Sequence, residues 1–270
     1  MRQRTCVFCS HQAGSREHLW AAWIHKRLPR KESIRITFAN RPVTISSNPE
    51  IKVKTVSGAC NNGWMSSLEA TCIPLIGCLM QDISAPLDSS QQALLSTWAL
   101  KTAMVLDSTN TRERTPFYEK SESEKLRVSS AIPDRTKVWI GRSSLSGLHA
   151  DGTDVGIVAP DGTKIANGNA ATLIVGHLAV QVFVAHALPA HKDKPIDAIT
   201  PRQGPWDDLL VQIWPVSSRS LTWPPRLTFT SSGTRQHIGQ LLYRWKTGKR
   251  VSPPIGRADD PRNMTLSDST

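Results

Sequence analysis

No apolar run in this chain approaches the roughly 20 residues that a membrane span needs. The start, MRQRTCVFCS, lacks the apolar core of a signal peptide. Cysteine is scarce and odd in number, with 5 residues, two of them in a tight Cys6-x-x-Cys9 pair. That argues against a disulfide framework and for a metal site or free thiols in a reducing, cytoplasmic compartment. No internal repeat is present. Acidic residues are outnumbered, 22 Asp and Glu against 33 Lys and Arg, giving a net charge of +11 and a pI near 9.8. Residues 1–60 alone carry 11 basic against 3 acidic residues, or +8. A polyanion is the physical partner for such a surface, since neutralising phosphates releases counterions. Charge alone fits a merely soluble basic surface equally well.

What is present is enough apolar residue, 39% of 270, for one large core or two modest ones. The segment EHLWAAWIHKRL (17–28) spaces Leu19, Trp20, Trp23, Ile24 and Leu28 as a helix does, and Pro29 ends it. Ile34–Ala39 and Ile51–Val56 alternate with period two and predict strands. A helix is expected from about Asn62, with Asn62 as its cap and a kink at Pro74. A linker rich in Ser, Asp and Pro (Asp82–Ser90) follows, then a second helix over Gln91–Ser108. After residue 108 the composition changes. A charged stretch, Thr111–Arg127, reads as helix or loop. Short β-type runs then recur (KVWIGR, DVGIVAP, TLIVGHLAVQVFVA, LLVQIWP), with turn signals at Asp161-Gly162 and Gly204-Pro205. The expected class is α+β: an N-terminal module over 1–108, a β-rich α+β domain over 109–245, and a mobile tail over 246–270. Oligomeric state is not legible.

Three features carry chemistry together: Cys6-x-x-Cys9, then Glu17-His18 in SREHLW, then Cys60-Asn61 in CNNGW. Phosphodiester hydrolysis needs a base for water, and a histidine titrates in the right range. It also needs a divalent ion to stabilise charge on the phosphoryl and leaving oxygens. Hard Mg²⁺ takes oxygen ligands and keeps waters, so one carboxylate and one carboxamide can suffice. Glu17, His18 and Asn61 supply that set, and a helix start at Asn61 favours an anionic substrate.

At these residues the chain resembles the HNH, or ββα-metal, endonuclease superfamily, in the branch with a C-x-x-C…EH…C-x-x-CN pattern. The resemblance covers about Cys6–Glu69 and implies a ββα-metal module at the N-terminus. It places the general base on His18, the acidic metal ligand on Glu17 and the metal-binding Asn on Asn61. It implies Mg²⁺ or another divalent ion at that site and DNA as substrate. It places structural zinc on Cys6, Cys9 and Cys60, and the fourth cysteine on Ser57, where this sequence departs from the pattern. A hydroxyl does not ionise readily and is a poor zinc ligand. His11 is the nearest spare ligand in sequence, and Cys72 and Cys78 are spare thiols. The alternative is a degenerate zinc-knuckle protein that binds nucleic acid without cutting it, and Ser57 is its support. The scaffold is expected to be held by Trp20, Trp23, Trp64 and Leu68.

The remaining candidates read as structure. Glu69 is expected in a surface salt bridge, Cys72 and Cys78 as small apolar residues, Trp64 and Trp98 as core. His25 is structural or on the surface. His149, His177, His186, His191 and His237 have no metal-ligand spacing, so a second active site is not expected.

Overall fold

The first strand, β1 (Ser15–His18), lies where the helical spacing begins. It is extended because it pairs antiparallel with β4 (Lys52–Val56), Glu17 opposite Val53 and His18 opposite Lys52. The expected helix over 17–28 therefore shrinks to α1 (Ala22–Arg27). A ladder between segments more than thirty residues apart overrides the local apolar period. In the computed structural model the described residues are 4–28, 34–36, 44–46, 52–109, 115–159, 161–193, 210–216, 219–225, 227–229 and 256–257. Gly204-Pro205 and most of the segment from Lys246 lie outside them, as do residues 37–39 and 51 of the two expected strands.

β4 runs straight into a helical stretch, which starts earlier than expected. Ser57 is extended and caps it, its Oγ accepting the Cys60 N–H at 3.2 Å, so Asn62 is not the cap. One turn, α2 (Gly58–Cys60), leads into a wider π-type turn over Asn61–Met65, broken at Gly63 (φ −96°, ψ −113°). The regular helix α3 (Ser66–Met80) follows and passes through Pro74. By length and composition Gly58–Met80 could cross a membrane, which corrects the expectation that no segment comes close. Here Cys72, Leu75, Ile76, Leu79 and Met80 of this helix are core residues.

The expected linker contains β5 (Ala85–Leu87), paired with β9 (Leu221–Trp223), and leads into α4 (Ser89–Thr109), which is buried along most of its length. The charged stretch ends in α5 (Lys120–Ser129). The β-type runs beyond it merge into one long hairpin, β6 (Thr136–Val158) and β7 (Lys164–Ala187). Its turn is the one expected at Asp161-Gly162, with Gly162 at φ 86°. The other edge of β6 takes three partners in turn. β8 (Val211–Trp214) pairs with Val138–Ile140, β10 (Leu227–Phe229) with Arg142–Ser143, and β2 (Ile34–Ile36) with His149–Ala150. β3 (Thr44–Ser46) extends the sheet beyond β2, and β11 (Gly256–Arg257) extends it beyond β10.

The fold is α+β. One apolar cluster runs from Cys6, Phe8 and Trp20 through α3 and α4 to β6, β7 and Trp223. Trp98 and Trp20 are fully buried, and Trp23, Trp64 and Leu68 pack against the cluster. The ladder β1–β4 and the helix that leaves it thus rest on the same core as the long hairpin.

Candidate functional site

Residues 4–13 fold back on themselves. Cys6 N–H donates to His11 O at 2.8 Å, and Ala13 N–H to Arg4 O at 2.8 Å. Val7 N–H and Gly14 N–H donate to Thr55 O and Val56 O of β4, at 2.9 and 3.0 Å. The loop is thereby fastened beside the start of α2, where Cys60 points back at it. The sulfurs of Cys6, Cys9 and Cys60 lie within 4.8 Å of one another, all buried. Phe8 N–H points at Cys6 Sγ from 3.4 Å.

This set fits a metal ion. Sulfurs on a tetrahedral zinc stand about 3.8 Å apart, given bonds of about 2.3 Å. A backbone N–H aimed at a sulfur stabilises a thiolate there. Two further groups stand beside Cys9, and the first is Ser57, its Oγ 3.3 Å from Cys9 Sγ. His11 Nδ1 lies 3.4 Å from the same sulfur. Burial raises the Cys9 thiol, but hydrogen bonds from Ser57 and His11 outweigh it and bring it down to about 6. Burial pushes Cys60 up to about 11, against the pull of Ser57. Cys72 is buried in the core, which with the nearby Glu69 carboxylate raises it to about 12, and Cys78 is half-buried.

The loop's outward carbonyls are covered by α5. Lys120 Nζ donates to Cys6 O, Val7 O and Cys9 O, the last at 2.6 Å. Ser123 Oγ donates to Val7 O at 2.7 Å and Arg127 Nε to Phe8 O at 2.9 Å. Sequence reasoning missed this clamp. Its only trace is the i, i+3, i+7 spacing of the three donors, which places them on one helix face without saying what they face.

On the other side of the ladder, Glu17 is buried and His18 half-buried. Burial, opposed by Lys101 and reinforced by Glu69, raises the Glu17 carboxyl to about 7. Asn61 opens the π-type turn, and its Nδ2 donates to Ser15 Oγ at 2.8 Å, two residues before Glu17. That bond fixes the amide plane and turns Oδ1 away from Ser15. Hence Asn61 is tied to the strand that carries Glu17 and His18.

Glu69 is not in the expected surface pair. Its Oε1 accepts Lys101 Nζ at 2.5 Å and Trp98 Nε1 at 3.0 Å, and its Oε2 accepts Trp23 Nε1 at 3.0 Å. Lys101 is 3% exposed. Two carboxyls, Glu17 and Glu69, therefore act on one buried ammonium, bonded to Glu69 and felt by Glu17 through space. Two other histidines have partners elsewhere: His177 Nδ1 contacts Ser143 O at 2.7 Å, and His186 Nε2 contacts Glu122 Oε1 at 2.8 Å while stacking on Phe117.

Comparison with models of known protein families, with curated proteins and with solved structures gives no match.

Proposed function

We propose that this protein is a metal-dependent endonuclease of HNH type that hydrolyses DNA phosphodiester bonds. The supporting observation is one of connection. An antiparallel strand pair carries Glu17 and His18 on its first strand, and its second strand runs directly into the helix that presents Asn61. The Asn61 amide is bonded back to that first strand through Ser15, which supports reading the segment as a ββα unit. The thiol cluster anchors the base of the same helix.

In this reading Glu17 and Asn61 hold a divalent ion through oxygen, a donor set suited to Mg²⁺ or a similar hard cation. The ion, when bound, stabilises negative charge on the phosphate under attack. Glu17, raised to about 7 by burial, would be held ionised by a cation beside it. His18 takes the proton from the attacking water. Exposed Arg16, Lys26, Arg27 and Lys54 offer contacts to the phosphate backbone.

The test is plasmid nicking with Mg²⁺, Mn²⁺ or Ni²⁺, alongside a binding assay on plasmid and single-stranded DNA. His18→Ala should lose at least about 100-fold in cleavage, the scale of general-base catalysis, while keeping its fold and DNA affinity. Cleavage unchanged in that variant would falsify the reading. A second reading is binding without cleavage, favoured by Ser57. Its hydroxyl closes the thiol cluster with hydrogen bonds to Cys9 and Cys60, as a degenerate knuckle would. DNA binding with no cleavage under any of the three metals would establish it.

A further inference from the structure

We propose that His11 is the fourth ligand of a zinc site built on Cys6, Cys9 and Cys60, so that the ion is held by three thiolates and one imidazole. The inference rests on the thiol cluster alone and needs no nuclease activity.

A structural zinc ion takes four protein ligands in a tetrahedron. With Zn–S near 2.3 Å and Zn–N near 2.0–2.1 Å, a sulfur and a nitrogen on one ion stand about 3.6 Å apart. His11 Nδ1 is 3.4 Å from Cys9 Sγ and Ser57 Oγ is 3.3 Å from it, so two groups stand at ligand distance from the same sulfur. Their chemistry separates them. The Ser57 hydroxyl stays neutral near pH 7 and already accepts the Cys60 N–H as the helix cap. An un-ionised hydroxyl is a poor ligand for zinc, which takes thiolates, imidazoles and carboxylates. An imidazole nitrogen, by contrast, is an ordinary fourth ligand beside three thiolates in structural zinc sites.

His11 also sits on a fixed stretch of the loop. Its backbone is anchored, because its carbonyl accepts the Cys6 N–H at 2.8 Å and Gln12 bridges to Thr5. Its side chain is exposed. The ring stands beside Cys9, whose sulfur is grouped with those of Cys6 and Cys60. Three thiolates around Zn²⁺ leave one net negative charge. Lys120 and Arg127, bonded to the carbonyls of Cys6, Cys9 and Phe8, bring positive charge to that spot.

The experiment uses the full chain. Zinc content and affinity are measured by chelator competition, and the ligand set by Co²⁺ absorption, for wild type, His11→Ala, Ser57→Ala, Ser57→Cys and the double variant His11→Ala/Ser57→Cys. Outer partners of metal ligands are worth about 10–100-fold in affinity, so loss of a ligand itself should cost at least about 100-fold. His11→Ala should show that loss and Ser57→Ala less than about tenfold. Ser57→Cys should rescue His11→Ala, because a thiolate then fills the fourth corner, and the thiolate-to-cobalt band should grow from three thiolates to four. The rescue also separates ligand loss from misfolding, since both variants lack His11. Wild-type affinity in His11→Ala overturns the proposal, as does a larger loss in Ser57→Ala, or wild type that takes up no zinc. A wild type that binds zinc through His11 but never cuts DNA would sink the nuclease reading and leave this one standing.

Discussion

Lys101 Nζ lies 2.5 Å from Glu69 Oε1, and the two side chains are 3% and 13% exposed. They join α4 to α3 inside the protein, beneath the strand that carries Glu17. Two tryptophan N–H groups, from Trp23 and Trp98, complete the hydrogen bonding of the Glu69 carboxylate. Truncating one partner of such a pair leaves the other buried and uncompensated, which costs about 3–5 kcal/mol. Lys101→Ala should therefore lose that much stability, read as a lower denaturant midpoint at constant slope. A loss under about 1 kcal/mol, the range of exposed pairs, would mean that water reaches the site.

Glu17 makes a pH-dependent prediction. Its carboxyl is raised from 4.5 to about 7 by burial first and by Glu69, with Lys101 opposing. A raised carboxyl favours the protonated folded state, so the folded chain binds more protons than the unfolded one between those values. Its contribution to stability is complete below about pH 4.5 and is lost as pH rises through 7. In chelator-treated protein, Glu17→Gln should melt above wild type at pH 8 and together with it at pH 4. Added Mg²⁺ should raise the melting temperature of wild type and leave Glu17→Gln unmoved. Equal Mg²⁺ responses would remove Glu17 from the metal site.

How much of this was legible in sequence depends on whether the cause was local. The helix α4 and the strand β4 were legible because their apolar periods are intact. The gathering of Cys6, Cys9 and Cys60 was expected from the family resemblance, which puts the three at one structural zinc site. The strand β1 was not, because EHLWAAW, from Glu17 on, carries a helical period and only pairing with β4 makes its start extended. The burial of Glu69 was hidden for the same reason: its partner lies 32 residues away. The hairpin β6–β7 was read as separate short strands, since Gly141 and the irregular stretch between Arg142 and Gly147 interrupt the alternation. The clamp of α5 on the cysteine loop joins residues more than a hundred positions apart, and no local pattern announces that.

Two glycines test the hairpin itself. Gly176 sits in β7 at φ 58°, and a Cβ there would run into the backbone of Met80 at the end of α3. Gly162 has φ 86°, but a Cβ there meets open space. The left-handed backbone costs a side chain about 1–2 kcal/mol at either position. Only Gly176 adds overpacking, about 1–3 kcal/mol more. Gly176→Ala should therefore destabilise more than Gly162→Ala by at least about 1 kcal/mol. Equal losses would show that α3 does not press on β7 at this point.

Asp151 lies on β6 opposite Thr172, and both are buried. Burial raises its carboxyl from 3.8 to about 6, against a hydrogen bond from the Gly152 backbone. No cation is paired with it among the hydrogen bonds of the described residues. Here too the folded state holds the proton more tightly, so stability is highest below pH 3.8 for this group and falls as pH climbs to about 6. Each unit is worth about 1.4 kcal/mol, so ionising Asp151 costs on the order of 2–3 kcal/mol near neutrality. Asn has the same shape and no charge. Asp151→Asn should thus be more stable than wild type at pH 7.5, with the gap shrinking as pH falls toward 4. A variant no more stable than wild type at pH 7.5 would mean that the Asp151 carboxylate is solvated or paired in solution.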